Sequence, residues 1–416
     1  MAYQPAAGTF ALQITKQLES NRMNVRTHDD GTLVVEQAVR ERYSKGAVQR
    51  EAALCCPVEY DKKYLAALPE EILERDYGCG DPSKFVREGD VVLDLGSGGG
   101  KICYIAAQIV GPKGTVYGVD MNDDMLALAR KYQPELRQKF GGTHIKFFKG
   151  KIQDLALDLD KIEEYLRRNP VNTVVDFQRL DEYMDALRSN EPMITDNSID
   201  VVVSNCVLNL VKEQDRTFLF KEVFRVLKSG GRVAISDIVS DEEVPTEMKN
   251  DPELWSGCMS GAFTETGLLK AFEEAGFYGM EIVEQDEKPW QTIEGIEFRS
   301  VTVLAHKGKQ GECLERNQAV IFKGPWKMVV DDDGHTLQRG VRMAVCDKTY
   351  RIYSNPNGPY ASSVIGVEPY EEIKLGDAQQ FNCKVNATRH PRETKGLEYN
   401  KTELAEHSVC GPDGCC

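Results

Sequence analysis

From Val91 onward the chain alternates short apolar runs with segments of helical period. The runs are Val91–Leu95, Thr115–Asp120, Ile145–Phe148, Val201–Asn205 and Arg232–Ile238. That alternation predicts βαβ units around a mainly parallel, doubly wound α/β sheet. Two further runs, Met280–Glu284 and Phe298–His306, follow the helical segment Glu265–Ala275 and predict an antiparallel edge pair, for seven strands in all. Residues before Val91 read as helices and loops, amphipathic near Val34–Tyr43 and again over Tyr64–Arg75. Between Leu155 and Met193 a charged segment, including Lys161–Arg168 and Arg179–Arg188, reads as two exposed helices inserted into a crossover, either a solvated decoration or a lid or interface. After Gly308 the pattern alternates again in Ala319–Phe322 and Arg342–Val345, which flank an Asp331–His335 turn carrying Asp-Gly and point to a small β-rich domain. The expected boundaries are a helical and loop segment over 1–90, the sheet domain over 91–308 with its insertion at about 155–193, the β-rich domain over 309–396, and a flexible cysteine-containing tail over 397–416.

The first strand ends in Asp94-Leu95-Gly96-Ser97-Gly98-Gly99-Gly100 and runs into a helix near Lys101. Glycines there let the backbone turn sharply and a ligand approach the helix amino terminus. A dinucleotide fold also uses a glycine-rich turn, but spaces its glycines as G-x-G-x-x-G, and here an aspartate sits inside the strand. Asp94 suits the cationic methionine end of S-adenosylmethionine. Asp120, ending the second strand, is placed to accept ribose hydroxyls, with Met121 to cover the adenine. Gly150-Lys151-Ile152 after the third strand and Ser204-Asn205 after the fourth complete the expected cofactor set of Asp94, Gly96, Gly98, Asp120, Met121, Ile152 and Asn205.

Composition narrows the partners. With 51 basic against 66 acidic residues the formal charge is −15, which offers no basic face to phosphate backbones or anionic lipid. No signal or transit pattern opens the chain and no run of about 18 apolar residues occurs, so a soluble cytoplasmic protein is expected, without nucleic acid or membrane as partner. Twelve cysteines are unusual in a compartment that keeps thiols reduced. Cys55, Cys79, Cys206 and Cys258 stand in loop-like contexts suited to metal, metalloid or redox chemistry, whereas Cys103 lies on a helical apolar face and Cys313, Cys346 and Cys383 read as structural. A zinc ribbon needs close cysteine pairs that Cys79, Cys206 and Cys258 lack, and none of the six histidines lies near them to make a cysteine–histidine nucleophile.

Three stretches carry a resemblance to a known family. Tyr77-Gly78-Cys79-Gly80 precedes the first strand, Ser204-Asn205-Cys206-Val207-Leu208-Asn209-Leu210 follows the fourth, and Leu254-Trp255-Ser256-Gly257-Cys258-Met259-Ser260-Gly261-Ala262 follows the fifth. In content and order they are similar to the arsenite S-adenosylmethionine methyltransferases, over about Ala47 to His306 and more faintly over Gln318–Val345. The resemblance implies a class I methyltransferase sheet, a smaller C-terminal domain, S-adenosylmethionine as cofactor, a thiol reductant such as glutathione or thioredoxin as co-substrate, and three thiolates, matching Cys79, Cys206 and Cys258, around trivalent arsenic. It also implies that an upstream cysteine, matching Cys55 or Cys56, pairs with the first of these in a disulfide. Soft thiolates select soft ions independently of that likeness. Gln153 stands where the resemblance places a glutamate, the 155–193 insertion interrupts it, and Cys55-Cys56-Pro57 doubles the upstream thiol. Other soft acceptors (selenium, tellurium, a small thiol), a non-catalytic thiol-rich binding protein and a nicotinamide oxidoreductase are the competing readings. The tail, with Cys410, Cys415 and Cys416, reads either as a collector that passes a soft ion to the site or as a disordered end that carries its thiols by chance.

Overall fold

The structure is a computed structural model that describes residues 35–51 and 58–395. Two compact units divide the chain, 1–307 and 308–416. In the first, seven strands form the main sheet: β1 (Val91–Leu95), β2 (Thr115–Asp120), β3 (His144–Lys149), β4 (Ile199–Asn205), β5 (Leu227–Ser240), β6 (Tyr278–Gln285) and β7 (Ile296–His306). Their order is β3-β2-β1-β4-β5-β7-β6, with β7 antiparallel to both neighbours and β1 to β5 parallel. Two short strands, Phe263–Thr264 and Gln291–Ile293, extend it at β5 and β7. The expected doubly wound α/β sheet with an antiparallel edge pair is therefore what forms.

Strand β1 shows why this segment becomes a strand. Its alternate side chains feed two cores, Leu93 and Leu95 into one face and Val92 into the other. On the Val92 face lies helix α2 (Lys101–Val110), in which all but two residues are buried. Helix α1 (Val35–Val48), upstream of the sheet, packs in the same unit against the short helix Pro252–Ser256 and helix α3 (Asp123–Lys139), and Arg42 donates to the Glu253 carbonyl at 2.7 Å. The 155–193 insertion is a helical hairpin, α4 (Leu159–Arg168) and α5 (Val174–Asn190), joined by a stacked Tyr165–Tyr183 pair and a small core of Leu157, Ile162 and Leu187. Backbone bonds from Met193 to Ala156 and from Ile194 to Leu155 tie its two ends together. One expectation changes: Tyr64–Arg75 is two short helices, Lys62–Leu65 and Glu70–Glu74, because Pro69 disfavours helical backbone at the residue before it.

Helices α6 (Arg216–Val226) and α7 (Glu265–Glu274) complete the longer helices of the first unit. In the second unit a three-stranded antiparallel sheet of β9 (Ala319–Phe322), β12 (Arg342–Ala344) and β13 (Val364–Val367) packs on helix α8 (Asp347–Ser354) through Val320, Phe322, Met343, Tyr350 and Tyr353. The Asp-Gly turn closes the hairpin of β10 (Met328–Val330) and β11 (Thr336–Gln338), where Gly334 takes φ +81°. A further two-stranded ladder pairs β8 (Leu314–Glu315) with β14 (Gln379–Gln380). The cysteine tail falls outside the described residues.

Candidate functional site

The carboxyl ends of β1, β2 and β4 open into a cleft of about 1120 Å³ in the first unit. Asp94, Gly96, Gly98, Asp120, Met121, Ile152 and Asn205 all line it, together with Cys206, Gln153 and residues of α1. Open α/β sheets bind ligands at this end, where loops leave strands on either side of the first. Gly96 has φ +66°, and a Cβ there would come within 2.4 Å of Val207. Gly98, also left-handed, has nothing within 4 Å of the position its Cβ would take and so leaves backbone open to a ligand.

Two carboxylates, Asp94 and Asp120, stand at the strand ends that line the cleft. Asp120 accepts backbone N–H bonds from Gly98 and Asn122, each at 2.8 Å, so the same carboxylate that borders the cleft also holds the glycine turn in shape. Asp94 takes a 3.2 Å bond from the Cys103 thiol. Burial, helped by Asp76 and Asp120, pushes its carboxyl up to about 8. A cationic ligand relieves that cost and a dinucleotide pyrophosphate adds to it. The donor set therefore fits a cofactor with a positive end.

Behind the cleft three cysteines from distant segments meet in one apolar pocket with Ile238, Val244, Met248, Met259, Ile296 and Phe298. Cys79 and Cys206 are joined as a disulfide, with Cα atoms 5.9 Å apart, and the Cys258 thiol donates to the Cys206 carbonyl at 3.2 Å. The expected pairing of Cys79 with an upstream thiol is thus replaced here by one with Cys206, its neighbour in the pocket. Cys55 and Cys56 lie outside the described residues. Cys206 and Cys258 both hold left-handed backbone, φ +57° and +66°, a strained conformation for residues bearing a Cβ and one that collects at functional sites.

Elements far apart in the chain hold these sulfurs. The Asn205 amide accepts from Cys79 N–H (2.8 Å) and Gly80 N–H (3.1 Å), and donates to the Gly80 carbonyl (2.7 Å) and the Tyr60 hydroxyl (3.0 Å). Although Asn205 borders the cofactor cleft, its side chain is spent on clamping the Cys79 segment. Gly78 is required for that clamp, since a Cβ would come within 2.2 Å of the Asn205 amide. A second clamp, which the sequence reading missed, joins the other two cysteines. Buried Asp237 accepts from Leu208 N–H and from the Asn209 amide, each at 2.9 Å, and the same amide reaches the Cys258 carbonyl at 3.1 Å. The available signal was a lone carboxylate inside the apolar run Val233–Val239. Burial pushes Asp237 up to about 6 against the pull of the bonds it accepts. Tyr43 of α1 was also missed. It lines the cleft on the side of Cys258, and burial and that thiol together raise its pKa well above the usual phenol value. No periodicity marks such a tyrosine as a partner for a thiol more than two hundred residues away.

Comparison with known proteins agrees with this geometry. A family described as a methyltransferase domain matches residues 87–193 and 182–276, and a domain of unknown function (DUF8838) matches 309–399. The arsenite methyltransferase of Mus musculus is 30% identical over 376 residues, covering 86% of this chain and 87% of that protein. The one from Aquipseudomonas alcaligenes is 29% identical over 76% of this chain and 87% of its own length. Among solved structures, the arsenic(III) S-adenosylmethionine methyltransferase of Chlamydomonas reinhardtii has the same fold, with TM-score 0.50 and 24% identity over 80% of this chain and 100% of that one. By the extent and identity of these matches, the chain belongs to the arsenite methyltransferase family.

Proposed function

We propose that the protein moves the methyl group of S-adenosylmethionine onto trivalent arsenic held by the thiolates of Cys79, Cys206 and Cys258. The observation that carries this reading is the meeting of those three sulfurs in one apolar pocket whose middle member, Cys206, also lines the cofactor cleft. Asp94 would neutralise the methionine end of the cofactor, Asp120 would take the ribose hydroxyls, and Met121 and Ile152 would flank the adenine. When bound, the cofactor supplies an electrophilic methyl group.

The residues of the chain do the rest by placement. Three thiolates leave arsenic pyramidal, with one lone pair, and the apolar pocket keeps water from it. Attack by that lone pair forms the As–C bond as the sulfonium C–S bond breaks. No proton leaves the nucleophile, so no general base is needed, and alignment alone can lower a barrier by roughly 7–11 kcal/mol. Tyr43 and the Asn205 and Asp237–Asn209 clamps serve that alignment. Arsenic gives up its electron pair in the step, and two electrons from thiols return it to the trivalent state. A thiol reductant is needed at a second point as well. The Cys79–Cys206 disulfide must be opened by thiol–disulfide exchange, through a mixed disulfide that a second thiol resolves, before both sulfurs can bind arsenic. We place the reaction in the cytoplasm, where such reductants are abundant.

Incubating the reduced protein with arsenite, glutathione and S-adenosylmethionine should yield methylated arsenicals by mass spectrometry, with one S-adenosylhomocysteine per methyl group. Transfer to selenite, tellurite or a small thiol but not to arsenic would overturn the reading. A pH dependence follows from Asp94. Below about 8 its carboxyl holds a proton in the free protein, and a cationic ligand must displace it. Cofactor affinity should therefore rise about tenfold per pH unit as pH increases toward 8 and level off above it, and Asp94→Asn should flatten the profile. Calorimetry from pH 6 to 9 checks this; an affinity that falls with rising pH would remove Asp94 from the cofactor's cationic end.

A further inference from the structure

The second unit holds three more cysteines, read from the sequence as structural. All three are free thiols, and their sulfur atoms lie within 4.8 Å of one another. Three different segments bring them together. Cys313 precedes β8, and its carbonyl accepts a 2.8 Å bond from Phe381 N–H, continuing the β8–β14 ladder so that Cys383 lies two residues past that bond. Cys346 caps the amino terminus of α8, where its sulfur accepts from Thr349 N–H at 3.4 Å and meets the Thr349 hydroxyl at 3.2 Å. Arg316, just past β8, bonds Asp347 at 2.6 Å and so ties the Cys313 strand to the start of that helix.

The surroundings treat the three thiols unequally. Burial opposes charge on Cys346, but the Thr349 bonds and the neighbouring Cys383 and Cys313 thiols outweigh it and hold its pKa below the ordinary thiol value. Burial, with the same neighbours acting the other way, raises that of Cys383. Three sulfurs this close are arranged as ligands. A disulfide would use only two of them and leave the third without a role. Among the described residues no fourth thiol, imidazole or carboxylate joins the set. Structural zinc takes four protein ligands, whereas three sulfurs complete the valence of a trivalent metalloid.

We propose that Cys313, Cys346 and Cys383 form a second thiolate site, built within the C-terminal unit, that binds one trivalent arsenic per chain. The choice of ion rests on the acceptor proposed above; the convergence of the thiols does not. Binding is a ligand exchange without redox change: three As–S bonds replace the three As–O bonds of arsenous acid, and three waters leave carrying the thiol protons. Such a site holds arsenic on the C-terminal unit and ties three segments of a small domain together.

The test is alkylation of the reduced full chain, resolved peptide by peptide by mass spectrometry, in the wild type and in a chain carrying Cys79→Ser, Cys206→Ser and Cys258→Ser. One equivalent of arsenite in the substituted chain should slow alkylation of Cys313, Cys346 and Cys383 together by at least tenfold. Adding Cys383→Ser, at a partly exposed position, should release both remaining thiols at once. The wild type supplies the same peptide readout should the substituted chain misfold. Protection by zinc but not by arsenite, protection of the three thiols independently of one another, or a disulfide between two of them after reduction would overturn the proposal. Loss of methyl transfer in the substituted chain tests the cleft cysteines alone, so failure of either reading is visible without the other.

Discussion

Cys206→Ser and Cys258→Ser should each lower methyl transfer by more than about 100-fold with both arsenite and monomethylarsenite, while cofactor binding is kept. A singly methylated arsenic has two valences left for thiolates, and these two cysteines are in contact with each other beside the cleft: Cys206 lines it and the Cys258 thiol donates to the Cys206 carbonyl. Serine keeps the volume but gives a hard, protonated oxygen that does not hold a soft ion. Misplacement of the nucleophile by about 1 Å is already enough for a loss of that size. Cys79 sits on a separate loop, fastened by the side chain of Asn205 at the end of β4, and in the proposed mechanism it is the third ligand, which only inorganic arsenite requires. Cys79→Ser should therefore lose the first methylation and keep the second. Because it also frees Cys206 from its disulfide, its reaction with monomethylarsenite should need less reductant to begin. Rates measured with both acceptors decide the matter. A Cys206→Ser or Cys258→Ser protein that methylates either one at near wild-type rate rules out the thiolate site.

What the sequence made legible follows from what is local. Strands β1 and β4 are nearly continuous apolar runs because both faces of the sheet are covered there, and each of β1 to β5 was visible to within a few residues apart from β5, which extends to Leu227–Ser240. The insertion helices could be read because each carries its own caps, Asp158 for one and a Thr173–Asp176 capping box for the other. The residues that line the cleft were accessible through strand ends and glycines. Partnerships made only by folding were not. Asn205 was read as a cofactor contact because it follows a strand, yet its bonds go to a loop more than a hundred residues upstream. Asp237, Asn209 and Tyr43 act on cysteines elsewhere in the chain, and nothing local marks them. The same holds for Cys313, Cys346 and Cys383, unremarkable singly and grouped only by the β8–β14 ladder and the start of α8.

Asp120→Ala should weaken S-adenosylmethionine binding by about 1.5–3 kcal/mol, the range for hydrogen bonds to a charged acceptor. The structure shows why one carboxylate matters that much. Both oxygens already accept backbone N–H bonds, from Gly98 in the glycine turn and from Asn122 at the cap of α3, leaving lone pairs toward the cleft. The turn that must approach the cofactor is thus positioned by the group proposed to bind its ribose. Alanine removes both functions: the ribose loses its acceptor, and Gly98, left-handed at φ +49°, loses the bond that fixes it. Asp120→Asn separates the two in part, because the amide keeps one acceptor oxygen for the backbone, sets a donor where the other oxygen stood, and carries no charge for the ribose; it should lose less affinity than alanine and lower the fold's thermal midpoint less. Calorimetric titration of both variants with S-adenosylmethionine is the measurement. Unchanged affinity in Asp120→Ala would take this carboxylate out of the cofactor site, and an asparagine variant as weak as alanine would show that the ribose contact, rather than the turn, carries the whole effect.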